Sequence, residues 1–198
     1  MNLVLLFLCI SVSITSTDTT QLVVYRHEIY KVDSTVKIPK IFVPEEFKSA
    51  LGKDSILLTD LISWPVIISI EMRINLEGDY VMSEHSETTG ISLSDAKSKY
   101  FKNGKYFSGE SDIPERALPI TFEKRRESKK ILGYECQRFI GTNSFTNDKY
   151  EIWATKQLPQ TITGLYRLPQ FGYGVLEISN LNGSWKRTAI SVKLSNTN

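Results

Sequence analysis

The stretch that decides the fold is residues 131–178, which read ILGYECQRFIGTNSFTNDKYEIWATKQLPQTITGLYRLPQFGYGVLEI. Apolar and polar residues alternate over residues 131–140 and again over 149–155, the pattern of strands that turn one face toward a core. Between them, residues 141–148 are rich in Asn, Ser and Thr, which predicts a turn. The stretch therefore predicts two or three consecutive strands of a β-rich domain.

Strand patterns continue on both sides of this stretch, and short polar turns separate most of them. The predicted strands are residues 21–32, 66–76, 80–83, 118–127, 175–178 and 184–194, with a hairpin over 100–107 around Asn103-Gly104. Pro44 followed by two glutamates predicts a short helix over 44–51, and a second helical turn is predicted over 95–99. Residues 56–62 fit either a strand or a helix. The order of elements indicates an antiparallel meander, because a parallel sheet needs long crossover helices.

The N-terminus indicates export. Residues 3–10 form an uninterrupted apolar run, too short to span a bilayer, and small and hydroxyl residues follow it. We expect a signal peptide over residues 1–16, with cleavage between 15 and 19, and a single β-rich domain over 17–198. The alternative is a buried N-terminal strand. No later stretch reaches transmembrane length, so we expect a soluble mature chain in the periplasm or outside the cell.

Charge and cysteine content narrow the function classes. The 198 residues carry 24 basic and 22 acidic side chains, a net charge of +2 with no clustered basic excess, which argues against a nucleic-acid partner. The charged cluster at residues 123–130 mixes both signs and is interpreted as a solvated strand end. Of the two cysteines, Cys9 lies in the predicted signal peptide, so Cys136 is alone in the mature chain and forms no internal disulfide.

The same stretch resembles a known family. Residues 131–138, ILGYECQR, resemble the I-x-G-Y-x-C-x-(K/R) signature of the GLPGLI family, exported Bacteroidetes proteins of unknown function. Residues 150–155, Leu158-Pro159, Leu168-Pro169 and residues 175–178 resemble its later segments. Arg167 and Gln170 stand where the family has glycines, which places the chain at the edge of the family or in a sister family.

The resemblance implies an overall shape. It implies a mainly β fold, an antiparallel and strongly curved sheet or half-open barrel with one or two short helices, similar to periplasmic lipoprotein carriers. It implies no catalytic residues. Metal and cofactor motifs are also weak in the residues themselves, since residues 84–87, Glu-His-Ser-Glu, are a solvated-looking loop, and we expect neither a metal nor a cofactor.

The candidate binding residues are aromatic. Trp153, Phe171, Tyr173 and Trp185 lie in or beside the central stretch. Packing in the core is the simpler interpretation, and an apolar pocket lined by these rings is the functional one. Cys136 shares its strand face with Tyr134 and is interpreted as a core thiol. Trp153 points away from the apolar face of its strand, which predicts that both faces are covered or that it lines a groove.

Three functions fit these observations. The first is an exported domain that binds an apolar small molecule, a lipid or a lipidated chain in the cell envelope. The second is a non-catalytic structural or interaction module with an envelope protein as partner. The third is a periplasmic hydrolase, for which an acid or His27 is the candidate catalytic group. Asn182-Gly183-Ser184 matches a glycosylation sequon, which matters only in a eukaryote.

Overall fold

The computed structural model describes residues 19–30, 37–39, 55–57, 66–86, 99–109 and 111–194. All regular structure in these residues is β-strand. The strands are β1 (Thr19–Ile29), β2 (Lys37–Pro39), β3 (Ser55–Leu57), β4 (Val66–Asn75), β5 (Tyr80–Ser86), β6 (Lys99–Lys102), β7 (Lys105–Ser108), β8 (Ile120–Ile131), β9 (Tyr134–Asn143), β10 (Lys149–Thr155), β11 (Gly174–Asn180) and β12 (Trp185–Leu194).

Ten of these strands form one antiparallel sheet in the order β7-β6-β5-β4-β1-β12-β11-β10-β9-β8. Two meanders, β4 to β7 and β8 to β12, lie on either side of β1, which pairs with β4 and with the last strand, β12. β1 joins the two meanders through long registers with β4 and β12, whereas β11 and β12, inside the second meander, share only three residue pairs. The sheet is curved and does not close, so the predicted antiparallel, curved sheet is confirmed. β2 and β3 pair separately.

Alternation in the sequence places the core on one face of the sheet, which we call the inner face. On β4 the side chains of Ile70, Met72 and Ile74 are fully buried, as the period-two pattern predicts. Val23 and Tyr25 of β1 lie opposite Met72 and Ile70 in the register and are buried on the same face. Leu76 was expected to continue the row, but β4 ends at Asn75 and Leu76 is exposed in the following turn.

The chain between β10 and β11 packs against the inner face, and we call residues 156–173 the covering segment. Its apolar side chains Leu158, Ile162 and Leu168 are buried. The guanidinium of Arg187 on β12 donates to the Gly164 carbonyl at 2.6 Å, and the hydroxyl of Tyr106 on β7 donates to the Leu168 carbonyl at 3.0 Å. Contacts to both a central and an edge strand require the sheet to curve around this segment.

Strands β10 and β11 are buried on both faces. Tyr150, Ile152 and Ala154 of β10 face inward, and Trp153, which points the opposite way, is only 9% exposed. Gly174 to Ile178 of β11 are buried without a break. The expectation that both faces of this region are covered is confirmed.

Two local predictions need correction. Residues 131–140 are not one strand, because β8 ends at Ile131 and β9 begins at Tyr134. Leu132 and Gly133 form the tight turn between them, with φ of 51° and 85°, and Leu132 is exposed rather than on the core face. The Asn103-Gly104 hairpin is confirmed, with φ of 49° and 76° between β6 and β7.

Several predicted elements lie outside the described residues. These are the signal peptide over 1–16, the helix over 44–51, most of residues 56–62 and the first four residues of the helical turn over 95–99. Lys99 itself begins β6, and no helix occurs in the described ranges, so the one or two short helices are not seen there. A search of the described residues for a helix long and apolar enough to cross a membrane finds none.

Candidate functional site

Phe171 and Tyr173, two of the predicted binding residues, lie together at the end of the covering segment. Their ring centroids are 5.7 Å apart, and both rings meet Phe139 of β9 edge-on, at 5.2 Å and 4.8 Å. Phe171 also stacks on Phe122 of β8 at 4.2 Å. This aromatic cluster covers the inner face of β8 and β9. Much of the ring surface of Phe171 and Tyr173 therefore packs against other side chains.

Trp185, the third predicted residue, packs against the same apolar cluster from another side. Its ring lies 6.1 Å from that of Tyr150 and 5.4 Å from that of His27. Register places Trp185 opposite Ile29 at the start of β12. It therefore stands beside the central strands, whereas Phe171 and Tyr173 stand beside the β8 edge.

Trp153, the fourth predicted residue, lies on the outer face. The ammonium of Lys129 sits 4.2 Å from the centre of its indole ring and also pairs with the carboxylate of Glu177 at 2.8 Å. Glu177 is buried and is bridged again by Lys186 at 3.1 Å. A cation over the ring and a buried carboxylate beside it explain why a tryptophan is accommodated there. The four predicted residues consequently do not form one site.

A cleft opens next to Tyr173, with a volume of about 430 Å³, a size that small-molecule sites commonly have. β8, β9, β10 and the start of the covering segment all contribute to it. Its lining residues are Lys124, Ser128, Glu135, Cys136, Gln137, Ala154, Thr155, Lys156, Gln157 and Tyr173.

A bulge in β8 shapes the mouth of this cleft. Lys124 pairs with Phe139 and Ser128 pairs with Gln137, so residues 125–127 lie opposite Arg138 alone. Extra residues on one strand bend it away from its partner and interrupt the ladder. The Gln137 carboxamide fills the gap by donating to the carbonyl of Glu127 at 2.8 Å and to that of Arg125. The charged cluster at residues 123–130 is exposed, as expected, but it lies within β8 rather than at its end.

The cleft has a positive side. Lys156 places its ammonium 5.4 Å from the centre of the Tyr173 ring, and no described acid forms an ion pair with Lys156 or with Lys124. The acid in the lining is Glu135, whose backbone N–H donates to the Gln157 side-chain oxygen at 3.0 Å. Two lysines, an aromatic ring and several amide and hydroxyl groups suit a ligand with an anionic group and an apolar body.

Cys136 is a core thiol, as predicted. Its side chain is fully buried, and its sulfur donates weakly to the Tyr134 carbonyl at 3.6 Å. Burial raises the pKa of the thiol to about 11. Because the thiolate is the reactive form, this cysteine is a poor nucleophile at neutral pH although it borders the cleft.

The Glu84–His85 segment lies on β5. Glu84 pairs with Lys99 at 2.7 Å, and His85 is exposed on the outer face opposite Ser69, while Glu87 lies outside the described residues. Nowhere in the described ranges do three or more His, Cys, Asp or Glu side chains gather in a way that could hold a metal ion.

Sequence reasoning found Tyr173 but missed the rest of the cleft. Lys124 and Ser128 become neighbours of Tyr173 through the β8 bulge, and Lys156 through the path of the covering segment. A mixed-charge run such as residues 123–130 has no periodicity from which a three-residue bulge could be predicted. A Lys three residues after a buried tryptophan also gives no signal of its own.

Comparisons with known proteins do not show which family the chain belongs to. No family model matches the chain, and no curated protein matches it. Among solved structures, the chain is similar to a structure of PNGF-II with a TM-score of 0.40 and 16% sequence identity, over 90% of this chain and 29% of that one. The chain thus spans less than a third of the length of that protein.

Proposed function

We propose that the chain is an exported, non-catalytic binding domain of the cell envelope whose ligand combines an apolar body with an anionic group, as a lipid or fatty acid does. The observation that carries the proposal is the cleft of about 430 Å³ beside Tyr173, with Lys124 and Lys156 on its positive side. A purely apolar ligand would meet Ala154 and the Tyr173 ring but would also bury several polar groups, which costs free energy. Export and the resemblance to exported β-rich proteins are the sequence support for this proposal.

The edges of the sheet favour this function over an interaction module that adds a strand from a partner. β8 is a 12-residue edge strand, but its exposed side chains include a long run of charges, and charged edges resist pairing. The bulge at residues 125–127 further interrupts the row of backbone groups that a partner strand would use.

Titration with oleate tests the proposal, and oleyl alcohol serves as the uncharged ligand with the same chain. Replacing Lys124 and Lys156 with glutamine should weaken oleate binding by up to about thirtyfold, because each exposed charge contributes at most about 1 kcal/mol. Lys130→Gln is the matched control, since Lys130 is exposed on the same strand but does not line the cleft. Equal oleate affinity in the double variant and the control would refute the assignment of the cleft.

Native mass spectrometry of the protein purified from the envelope of its own host gives an independent test. A retained acyl ligand is expected on the wild-type chain, with lower occupancy on the Lys124 and Lys156 double variant. A clean apoprotein in both cases would argue for the interaction module instead.

A further inference from the structure

Three large apolar side chains are exposed together at one end of the sheet. Phe145 in the turn between β9 and β10 is 87% exposed, Leu181 in the turn between β11 and β12 is 48% exposed, and Tyr30 directly after β1 is 46% exposed. We call these three residues the apolar tips. Single exposed apolar residues are common on protein surfaces, but a group of them marks an interaction site.

Backbone hydrogen bonds place the apolar tips beside one another. The Leu181 N–H donates to the Lys149 carbonyl at 2.9 Å, which ties the β11–β12 turn to the start of β10. The Tyr30 N–H donates to the Ser184 carbonyl at 2.8 Å, which ties the end of β1 to the same turn. Strands β1, β12, β11, β10 and β9 are consecutive in the sheet, so the tips form a row about 15–20 Å long.

The turn that carries Phe145 is held by hydrogen bonds of its own. Asn143 is buried, and its side-chain oxygen accepts from the backbone N–H of Phe145 at 3.0 Å. The Asn143 carbonyl accepts from the N–H of Asn147 at 2.8 Å. The Ser144 N–H donates to the Pro119 carbonyl at 2.9 Å. The turn therefore fixes the ring of Phe145 in solvent, although burial of that ring would be favourable.

The charged side chains beside the apolar tips offset one another in the described part of the chain. Asp148 and Lys149 are adjacent and opposite in charge. Glu28 pairs with Arg26 at 2.9 Å, and Lys186 pairs with the buried glutamate of β11 at 3.1 Å. The other polar side chains of the two turns are amides and hydroxyls: Ser144, Thr146, Asn147, Asn182 and Ser184. This end of the sheet consequently suits a partner that takes up apolar groups through an uncharged polar layer.

The shape of this end favours a lipid surface over another protein. The apolar tips project from separate turns, whereas the core of a protein interface is a closely packed, complementary patch. A fluid bilayer accommodates separate projections, because its lipids rearrange around each of them, and binding grows with the apolar area that is buried. Headgroups can hydrogen-bond the amides and hydroxyls around the tips. Tyr30 suits the boundary, since a tyrosine ring is apolar on one side and polar on the other.

We propose that the apolar tips insert into the surface of a lipid bilayer, with Phe145 and Leu181 among the acyl chains and the polar groups of both turns at the level of the headgroups. Burial of apolar area drives the insertion, so no anionic lipid is needed. Thr155, which lines the Tyr173 cleft, lies at the far end of β10, about 20 Å from Lys149. A docked chain therefore keeps its cleft clear of the bilayer, and docking does not depend on the cleft having a ligand.

Flotation of residues 17–198 with lipid vesicles tests the proposal, because the apolar run at residues 3–10 would itself bind lipid. The wild type should float with phosphatidylcholine vesicles and to a similar extent with vesicles that contain equal amounts of phosphatidylcholine and phosphatidylglycerol. Phe145→Ser should weaken binding by at least about tenfold, and the double variant with Leu181→Ser by about a hundredfold. Leu76→Ser is the matched control, since Leu76 is 69% exposed in the turn after β4, at the opposite end of the sheet, and should leave binding unchanged.

A tryptophan at the tip reports insertion directly. With brominated phosphatidylcholine, the added fluorescence of Phe145→Trp should be quenched, and that of Leu76→Trp should not. Replacing Lys124 and Lys156 with glutamine should leave vesicle binding unchanged, so failure of docking and failure of the cleft are separate results.

Three results would overturn the docking of the tips. The first is binding that requires phosphatidylglycerol and survives Phe145→Ser, which would indicate adsorption by charge. The second is equal loss of binding in Phe145→Ser and Leu76→Ser. The third is an absence of vesicle binding together with a dimer, detected by sedimentation equilibrium, that Phe145→Ser dissociates, which would assign the tips to a second copy of the chain.

Discussion

The hydroxyl of Tyr25 on β1 donates a hydrogen bond to the backbone carbonyl of Val175 on β11 at 2.7 Å. Both residues are fully buried, and 150 positions of sequence separate them. β1 does not pair with β11 in the sheet, because β12 lies between them. The bond therefore crosses the inner face over β12, beside the short register of three residue pairs between β11 and β12.

Removal of this hydroxyl should weaken the connection between β1 and β11 across β12. Tyr25→Phe is expected to lower the free energy of unfolding by about 1–2 kcal/mol, because the Val175 carbonyl loses a buried donor. Urea denaturation followed by circular dichroism measures it. Tyr30→Phe is the control, since Tyr30 is 46% exposed at the end of the same strand and should change stability by less than about 0.5 kcal/mol. Equal effects of the two variants would show that the Tyr25 bond contributes nothing specific.

The place of β1 could not be foreseen from the sequence. The alternation along β4 and the Asn103-Gly104 turn depend on neighbours in the chain, and both are confirmed, with the strand ending one residue earlier than predicted. The pairing of β1 with β12 joins the two ends of the domain, and no local pattern encodes it. The contact between His27 and Arg187 follows from that pairing, so it was also out of reach.

The cleft could not be predicted from the sequence either, for a different reason. Tyr173 and Trp153 were both identified as aromatic residues of the central stretch, but Trp153 serves the packing of the outer face. Aromatic residues in a strand suit packing and binding alike, and the charges placed around them decide between these uses. Lys124 reaches the cleft through the bulge in β8 and Lys156 through the path of the covering segment, and neither can be predicted from the sequence.

His27 makes the free energy of unfolding depend on pH in the acidic range. Its pKa is lowered to about 3 in the folded chain, mainly by burial, whereas the unfolded chain binds the proton near the ordinary value of about 6.5. Between these values the unfolded state holds more protons than the folded state. His27 should therefore cost about 1.4 kcal/mol of stability for each pH unit below about 6.5.

Comparison of two histidine variants isolates this effect from the titration of carboxylates. The difference in unfolding free energy between His27→Gln and the wild type should shift in favour of the variant as the pH falls from about 6.5 toward 4. His85→Gln is the control, because it removes an exposed imidazole from the outer face. Parallel curves for all three proteins would mean that His27 is protonated as readily in the folded chain as in the unfolded one.

Cys136 should react slowly with thiol reagents until the protein unfolds. Its pKa of about 11 lies more than two units above the ordinary value, so the native thiolate fraction at pH 8 is about a hundredfold lower than in the unfolded chain, and burial blocks access as well. The reaction with Ellman's reagent is measured on the chain without residues 1–16, which leaves Cys136 as the one thiol. The rate in native buffer should be at least about a hundredfold below the rate in urea. Rates within tenfold of each other would place the thiol at an accessible position.

Leu132 occupies a backbone conformation that suits another residue. Its φ is 51° in the turn between β8 and β9, where it precedes Gly133, and left-handed backbone is unfavourable for a branched side chain. Asparagine tolerates this conformation, and Asn-Gly is the preferred pair in such two-residue turns. Leu132 is 46% exposed, so little buried apolar area is lost by replacement. Leu132→Asn should therefore raise the free energy of unfolding by about 0.5–1 kcal/mol.

The hairpin between β6 and β7 supplies the mirror-image control, because Asn103 has nearly the same φ, 49°, and also precedes a glycine. Asn103→Leu should lower stability by an amount similar to that gained at Leu132, since it places leucine in the conformation that it disfavours. Thermal and urea denaturation of both variants measure the two changes. A gain at Leu132 without a loss at Asn103 would attribute the effect to the removed apolar surface, and a loss at Leu132 would show that its side chain stabilises the β8 edge through contacts that outweigh the strain.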